Sequence, residues 1–512
     1  MAGKSDQAAR AFKIPYITYI IAMQNTSPSP DSPFTGLEPA SVWAHFATLC
    51  RIPRQSKHEG TLRDFLSQWA EGKGLESIVD QAGNLIIRKP ASAGREHVPG
   101  VILQAHLDMV CQKNNSTAHD FSCDPIRPVL RDGYLLAEDT TLGADNGIGV
   151  ALILAALEDA GLAHGPLEAL LTVDEEAGMG GAQGLAPGVL RGKIMLNLDT
   201  EAWGEFYLGC AGGLDVNVNR AGTAEPLLSG WQAVRIEVSG LRGGHSGINI
   251  HEGRGNAIKI LSRILCSLQD RFPLRLSVFS GGSARNALPK EAGAVVAVQP
   301  ENVAALTHAM QEWQDLLQRE LKGVDDGVRV RSFPAQADSV MSLQDQQLWL
   351  HTLHAAPHGV RRMSISLPGM VETSNNLGMV DLQPRKGNCN FMARSTMDSA
   401  CEALAVEIVS LFALSGTHAE KAGYYPGWTP NPDSDLLALC QKVYRQEFGA
   451  VAKTQVIHAG LECGVIAAKY PGLDIISFGP DIHSPHAPGE SVEVASVGKT
   501  WQLLKAILRA VD

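Results

Sequence analysis

"LLTVDEEAGMGGAQGL", residues 170–185, runs an apolar segment into two adjacent carboxylates, Glu175 and Glu176, and then into glycines. Like charges side by side repel unless something positive sits between them. The apolar run ahead of them reads as a strand buried on both faces, and such strands belong to largely parallel sheets covered by helices. In open sheets of that kind, ligands gather at the carboxyl ends of the strands. A metal between strand ends would answer the repulsion, so the other strand ends should supply further ligands.

Working outward, "NLIIRK" (84–89), "GVILQAHLDMV" (100–110) and "GKIMLNLDT" (192–200) also read as strands. "NGIGVALILAALEDAG" (146–161) reads as a helix after a glycine-rich turn. Alternating strands and helices predict an α/β core with a largely parallel central sheet. The rhythm changes after "YLGCAGGLD" (207–215). There "QAVRIEVSG" (232–240) alternates like a half-exposed strand, and strand-helix-strand-strand order follows, suggesting an α+β insert of two related halves. The α/β rhythm returns at "YYPGWTPNPDSDLL" (424–437), with "TQVIHAG" (454–460), "LDIISFGP" (473–480) and a last helix. The expected organisation is an N-terminal extension 1–36, a catalytic domain in two parts (37–213 and 425–512), and an insert at 214–424.

The 512 residues are 45% hydrophobic and 19% charged, the composition of a soluble globular chain. A net charge of -11, with no basic cluster carrying interleaved aromatics, argues against a nucleic-acid partner. Nine cysteines without a C-x-x-C pair read as reduced thiols in the cytoplasm. The most membrane-like stretch, "IPYITYIIAM" (14–23), is too short for a bilayer that needs roughly 20 residues. Proline and tyrosines interrupt it and no A-x-A site follows, so we expect neither export nor a membrane partner. A start of translation at Met23 would make residues 1–22 an artefact. The Pro/Ser-rich segment 24–36 is expected not to pack.

Each predicted strand end carries a metal-capable side chain. In "HLD", His106 and Asp108 sit two apart and point to the same side of an extended chain, which suits a histidine ligand with a carboxylate behind it. Asp145 in "TLGADNGIG", Glu176 in "TVDEE" and Asp199 in "LNLDTE" can supply oxygens, and "SPHAPGE" (484–490) offers His486 in an H-x-P-x-E frame. Any one of these is an ordinary strand-end salt bridge or solvated turn on its own. Their succession is the signal.

With "HLDMVCQKN", "LGADNGIGVA", "RGGHSG", "ARNALP" and "HAGLECG", the chain from about Leu37 onward resembles the metallopeptidases with two co-catalytic zinc ions, which include aminoacylases, carboxypeptidase-like enzymes and carnosinases. These stretches most resemble the Xaa-His dipeptidase branch of that family. The resemblance implies a ligand set: His106, Asp145 and Asp199 for one ion, and Asp145, Glu176 and His486 for the other, with Asp145 bridging. It implies that Asp108 orients His106, that Glu175 is the general base, and that a cis peptide joins Asp145 to Asn146. It also implies an inserted lid and dimerisation domain whose His245 stabilises the oxyanion in the partner subunit's site. Asn286 and Arg394 match substrate-binding positions of the lid, the arginine suiting a C-terminal carboxylate. Glu462 is either a contact for the substrate's amino group or a helix-start acid.

Two divalent ions are therefore expected, with zinc first and manganese or cobalt as substitutes, since the ligand types do not select one. The activity implied is hydrolysis of Xaa-His dipeptides of the carnosine kind and of other unblocked dipeptides, by a homodimer. Two alternatives stay open: an aminoacylase or tripeptidase of the same family, and a non-catalytic metal- or peptide-binding protein. A serine-hydrolase reading of Ser246 fails, because Ile248 stands where a G-x-S-x-G elbow needs glycine.

Overall fold

In the computed structural model, residues 32–365 and 367–512 are described. The apolar segment 14–23 and the alternative start at Met23 lie outside them. No helix among the described residues is long and apolar enough to cross a membrane. The chain divides into two compact units: residues up to 208 with 430–455 and 465–512, and residues 209–429 with 456–464. The second part of the chain thus alternates between units, lending residues 456–464 to the second.

The strands predicted around the opening stretch form the heart of the first unit. Leu167–Thr172, Val101–His106, Ile194–Asn197 and Asp474–Ser477 lie side by side in that order. All three of these pairings are parallel. Leu85–Lys89 and Glu76–Val79 extend the sheet antiparallel at one edge. Every residue of Val101–His106 and of Leu167–Thr172 is buried, as expected of strands covered on both faces. Buried polar groups inside the sheet bond one another: Gln104 donates to Thr172 Oγ1 (3.2 Å) and accepts from Asn197 Nδ2.

Register places the site. Thr172 stands opposite His106, and Asn197 opposite Gln104. The residues that follow these strands therefore leave from one edge of the sheet: Leu107 and Asp108, Val173 to Glu176, and Leu198 to Asp199. The helix Ala144–Glu158 is buried from Asn146 to Leu157. It is apolar on all sides, which marks an interior helix. Its first turn is irregular at Asp145 and Asn146, and the peptide between them is cis.

Among its described residues, the second unit holds a nine-stranded sheet. All its pairings are antiparallel. Residues 232–334 run strand, helix, strand, strand, helix, strand. Helices Ala257–Gln269, Val303–Glu320, Leu343–Ala355 and Asp398–Leu414 pack their apolar faces into one core with the sheet, around Ile236, Phe279, Trp349 and Phe391. One local expectation fails. Phe34, near the end of the segment 24–36 that was expected not to pack, lies 6.5 Å from the Trp43 ring and 6.3 Å from the Phe46 ring. A single aromatic next to an apolar helix outweighs the polar composition around it.

Candidate metal centre and active site

The strand Val101–His106 delivers His106, almost wholly buried, to the carboxyl edge of the sheet. Two residues on, Asp108 lies on the same side, with Oδ1 3.5 Å from His106 Nδ1. The ring's other nitrogen, Nε2, faces Asp145 Oδ1 at 3.0 Å and Asp199 Oδ1 at 3.3 Å. His486 approaches from the far side, with Nε2 3.0 Å from Asp145 Oδ2 and 3.1 Å from Glu176 Oε1. Asp145 thus offers one oxygen to each imidazole.

Asp108 does more than the sequence suggested. Its carboxylate also accepts from Ser56 Oγ (2.7 Å) and from the backbone N–H groups of Glu175 (3.0 Å) and Glu176 (3.1 Å). Asp108 therefore holds the imidazole, through its backbone carbonyl (3.2 Å) and the nearby carboxylate, while that carboxylate also fixes the turn carrying both glutamates. Burial opposes its charge, but the bond to His106 and the others hold it down at about 2. Asp174, just before the glutamates, and His486 both adopt positive φ (57° and 61°), a conformation that non-glycine residues keep where surroundings dictate it.

Three overlapping groups of side chains have ligand atoms within 4.8 Å of one another: His106, Asp145 and Asp199; Asp145, Glu176 and His486; and His106, Glu175 and Glu176. The first two have the composition of the implied ligand set. The third also brings the Glu175 carboxylate to the cluster. His483 belongs to none of them; its exposed ring lies 5.6 Å from that of Tyr134.

The donor set fits divalent cations. Among the described residues, the ion-pair partners of Asp145, Glu176 and Asp199 are the two imidazoles, with no lysine or arginine. Burial resists charge on His486, yet Asp145 and Glu176 outweigh it and raise the ring to about 11. Burial likewise works against His106, and Asp199, Asp108 and Asp145 raise it well above the usual histidine range. Oxygen and imidazole donors of this kind hold zinc, manganese or cobalt. Glu201 was not foreseen in the sequence. Burial first, then the charges of Asp145 and Asp199, push its carboxyl up to about 9. Its signal was the D-x-E spacing after Asp199, the same alternation that marks His106 and Asp108.

The other predicted residues lie in the second unit. His245 Nδ1 accepts from the N–H groups of Gly247 (3.2 Å) and Ile248 (3.1 Å). A neutral ring accepting at Nδ1 carries its proton on Nε2 and is a donor there. Ser246 N donates to Asn286 O at 2.8 Å, and His245 bridges Ala287, so the segments holding His245 and Asn286 are joined. Arg394, 3% exposed, donates to the Tyr425 hydroxyl (2.8 Å) and, among the described residues, has no carboxylate at ion-pair distance. Glu462 is fully buried at the start of the helix Glu462–Lys469. His458, before it, bonds Ser374 Oγ through Nε2 at 2.7 Å. Burial first, and then the charge of Arg394, depress it to about 3. Positive charge beside a neutral histidine suits an anionic group.

Residues 102–510 match the model of peptidase family M20/M25/M40. The chain is 42% identical over 481 residues to a cytosol non-specific dipeptidase of Escherichia coli (strain K12), covering 94% of this chain and 99% of that one. A crystal structure of aminoacylhistidine dipeptidase from Vibrio alginolyticus superposes with a TM-score of 0.85 at 42% identity, covering 94% and 99% of the two chains. Aminopeptidase PepT from Bacillus cereus, at 17% identity and a TM-score of 0.52 over 93% and 99%, shares the fold.

Proposed function

Because this chain belongs to peptidase family M20/M25/M40, we propose that it is a cytoplasmic, metal-dependent dipeptidase that hydrolyses Xaa-His and other unblocked dipeptides as a homodimer. The relatives' names support the substrate class. The observation that carries the chemistry is Asp145, whose two oxygens each face a different imidazole at 3.0 Å. His106, Asp145 and Asp199 would hold one ion, and Asp145, Glu176 and His486 the other; zinc is our first choice, with manganese or cobalt as substitutes.

When bound, two divalent cations supply Lewis acidity at the scissile carbonyl and acidify water. Glu175 takes the proton of the attacking water and passes it to the leaving amine. Asp108 holds Glu175 to this task through its backbone N–H, while keeping His106 in line. His245 donates Nε2–H to the developing oxyanion of the partner subunit's substrate. Arg394 receives the C-terminal carboxylate, Asn286 adds a polar contact, and Glu462 meets the free amino group.

The test is a substrate panel on protein stripped of metal and restored with one metal at a time. Restored hydrolysis of carnosine and other free dipeptides, with N-acetyl amino acids and tripeptides left intact, is expected. Preference for N-acetyl amino acids or tripeptides would overturn the assignment in favour of an aminoacylase or a tripeptidase. Two bound ions with no turnover of any dipeptide would make the protein a binder.

A further inference from the structure

Glu490 closes the segment that carries His486 and is 2% exposed. Its two oxygens accept from four successive backbone N–H groups: Oε2 from Leu142 (2.7 Å) and Gly143 (2.9 Å), Oε1 from Ala144 (2.7 Å) and Asp145 (3.2 Å). Four bonds saturate a carboxylate. They also place its charge on the amide-rich start of the helix Ala144–Glu158, where negative charge is favoured.

The opposite face of the same loop is held by a buried cation. Arg54, 3% exposed, donates through Nη2 to the carbonyl of Gly143 and through Nη1 to those of Leu107 (3.0 Å) and Asp108 (2.9 Å). A Cβ on Gly143, whose φ is +71°, would collide with Nη2, so the guanidinium and the glycine require each other. Loop 142–145 is therefore gripped by Glu490 on its N–H side and by Arg54 on its carbonyl side. Through these two residues, the segments bearing His106, Asp145 and His486 are tied at the backbone.

We propose that Glu490 and Arg54 are positioning residues for the metal centre: they fix the separation of the two imidazoles about Asp145 and so set the affinity for both ions. The proposal rests on the ligand set proposed above. Charges buried this fully are costly to keep, and each of these two is held by backbone groups rather than by the other. Geometry that the ions require gives such a pair a function.

The experiment is a zinc–chelator competition titration on the full chain as wild type, Glu490→Gln, Arg54→Lys and Asp145→Ala. Melting of metal-free and zinc-loaded protein and the visible spectrum of the cobalt form are read alongside. Glutamine keeps the size of Glu490 but turns an NH2 group toward N–H donors; lysine cannot reach three carbonyls in a fork. Each positioning variant should bind both ions about 10- to 100-fold more weakly, the loss typical of outer partners of metal ligands. The rise in melting temperature on adding zinc should shrink, and the cobalt bands should shift.

A purely architectural role would instead lower the melting of both forms equally, leaving affinity and cobalt spectrum as in wild type, and that result overturns the proposal. Asp145→Ala that still binds two ions normally would overturn the ligand set itself. Loss in Asp145→Ala beside normal binding in Glu490→Gln would overturn the positioning role alone. If Glu490→Gln does not fold, Glu490→Asp, which keeps the charge and withdraws it by one methylene, is read by the same criteria.

Discussion

Glu175 and Glu176 are neighbours in the chain, and both backbone N–H groups bond the same Asp108 carboxylate, yet the proposed roles differ. Glu176 Oε1 faces His486 at 3.1 Å and belongs to the group around Asp145, which supports the proposed role of Glu176 as the ligand of the pair. Glu175→Gln should keep two zinc ions and lose roughly 10²- to 10⁴-fold in kcat, the usual effect of removing a general base. Metal analysis of the purified variant separates the roles, because loss of an ion would move Glu175 into the ligand set. At His458, the folded ring titrates at about 3 because burial and the Arg394 cation disfavour its charge. The unfolded chain takes up that proton at about 6.5, so stability falls as pH drops from about 6.5 to 3 and is unaffected by this group above that window. His458→Gln should flatten the loss of unfolding free energy between pH 7 and pH 4 by roughly 3 kcal/mol, measured by urea denaturation. An unchanged pH dependence would mean that other groups carry the acid sensitivity. Residue-scale legibility follows from these contacts. His106 with Asp108 could be read because alternation along a strand sets which side a residue faces. Glu490 stood in the H-x-P-x-E frame, but neither its bonds to the 142–145 amides nor those of Arg54 to three carbonyls could be read there, because backbone hydrogen bonds leave no pattern of residue types.

At the scale of elements, apolar runs located the strands and their order in the chain, and register did the rest. With Asn197 opposite Gln104 in a parallel pair, Asp199 and His106 end up level. Spatial order of the strands was not written in the runs, since Val101–His106 lies between Leu167–Thr172 and Ile194–Asn197, both of which follow it in the chain. Antiparallel edge strands such as Glu76–Val79 carry too few apolar residues to announce their direction. How close the buried helix Ala144–Glu158 comes to the strand end at Leu198 is likewise a matter of volume. A Cβ on Gly149 would overlap Asn146 Oδ1 and stand 2.5 Å from Leu198 O. Gly149→Ala should therefore push the helix start and the Asp199 segment apart. Overpacking of this kind typically costs about 1–3 kcal/mol, which urea denaturation would register. Zinc affinity should fall with it, because Asp145 and Asp199 lie on the two segments displaced. Destabilisation with unchanged zinc affinity would show that the close approach serves packing alone.

At the scale of the molecule, the proposed ligands and base all lie in the first compact unit, whereas His245, Asn286, Arg394 and Glu462 all lie in the second. The sequence showed the change of rhythm that introduces the second unit. It gave no mark at 456 or 464, where the chain enters that unit again and leaves it, because "TQVIHAG" reads as one strand and its loop. The proposed roles are thus divided between the two units, and in the proposed homodimer His245 could come from either chain. The neutral, Nε2-protonated form of His245, held by Gly247 and Ile248, is suited to donate to an oxyanion wherever that oxyanion lies. Mixing variants decides whose substrate it serves. Glu175→Gln and His245→Ala should each be nearly inactive as homodimers. If His245 serves its partner, a mixed dimer contains one site with neither change and one with both. Random exchange makes half the dimers mixed, so activity should return to about a quarter of wild type for a closed two-fold pair. If His245 serves its own chain's metals, each site in the mixed dimer carries one lesion and activity stays at the level of the homodimers. Exchange verified with differently tagged subunits, but without recovery, would end the trans assignment and leave the metal centre as proposed.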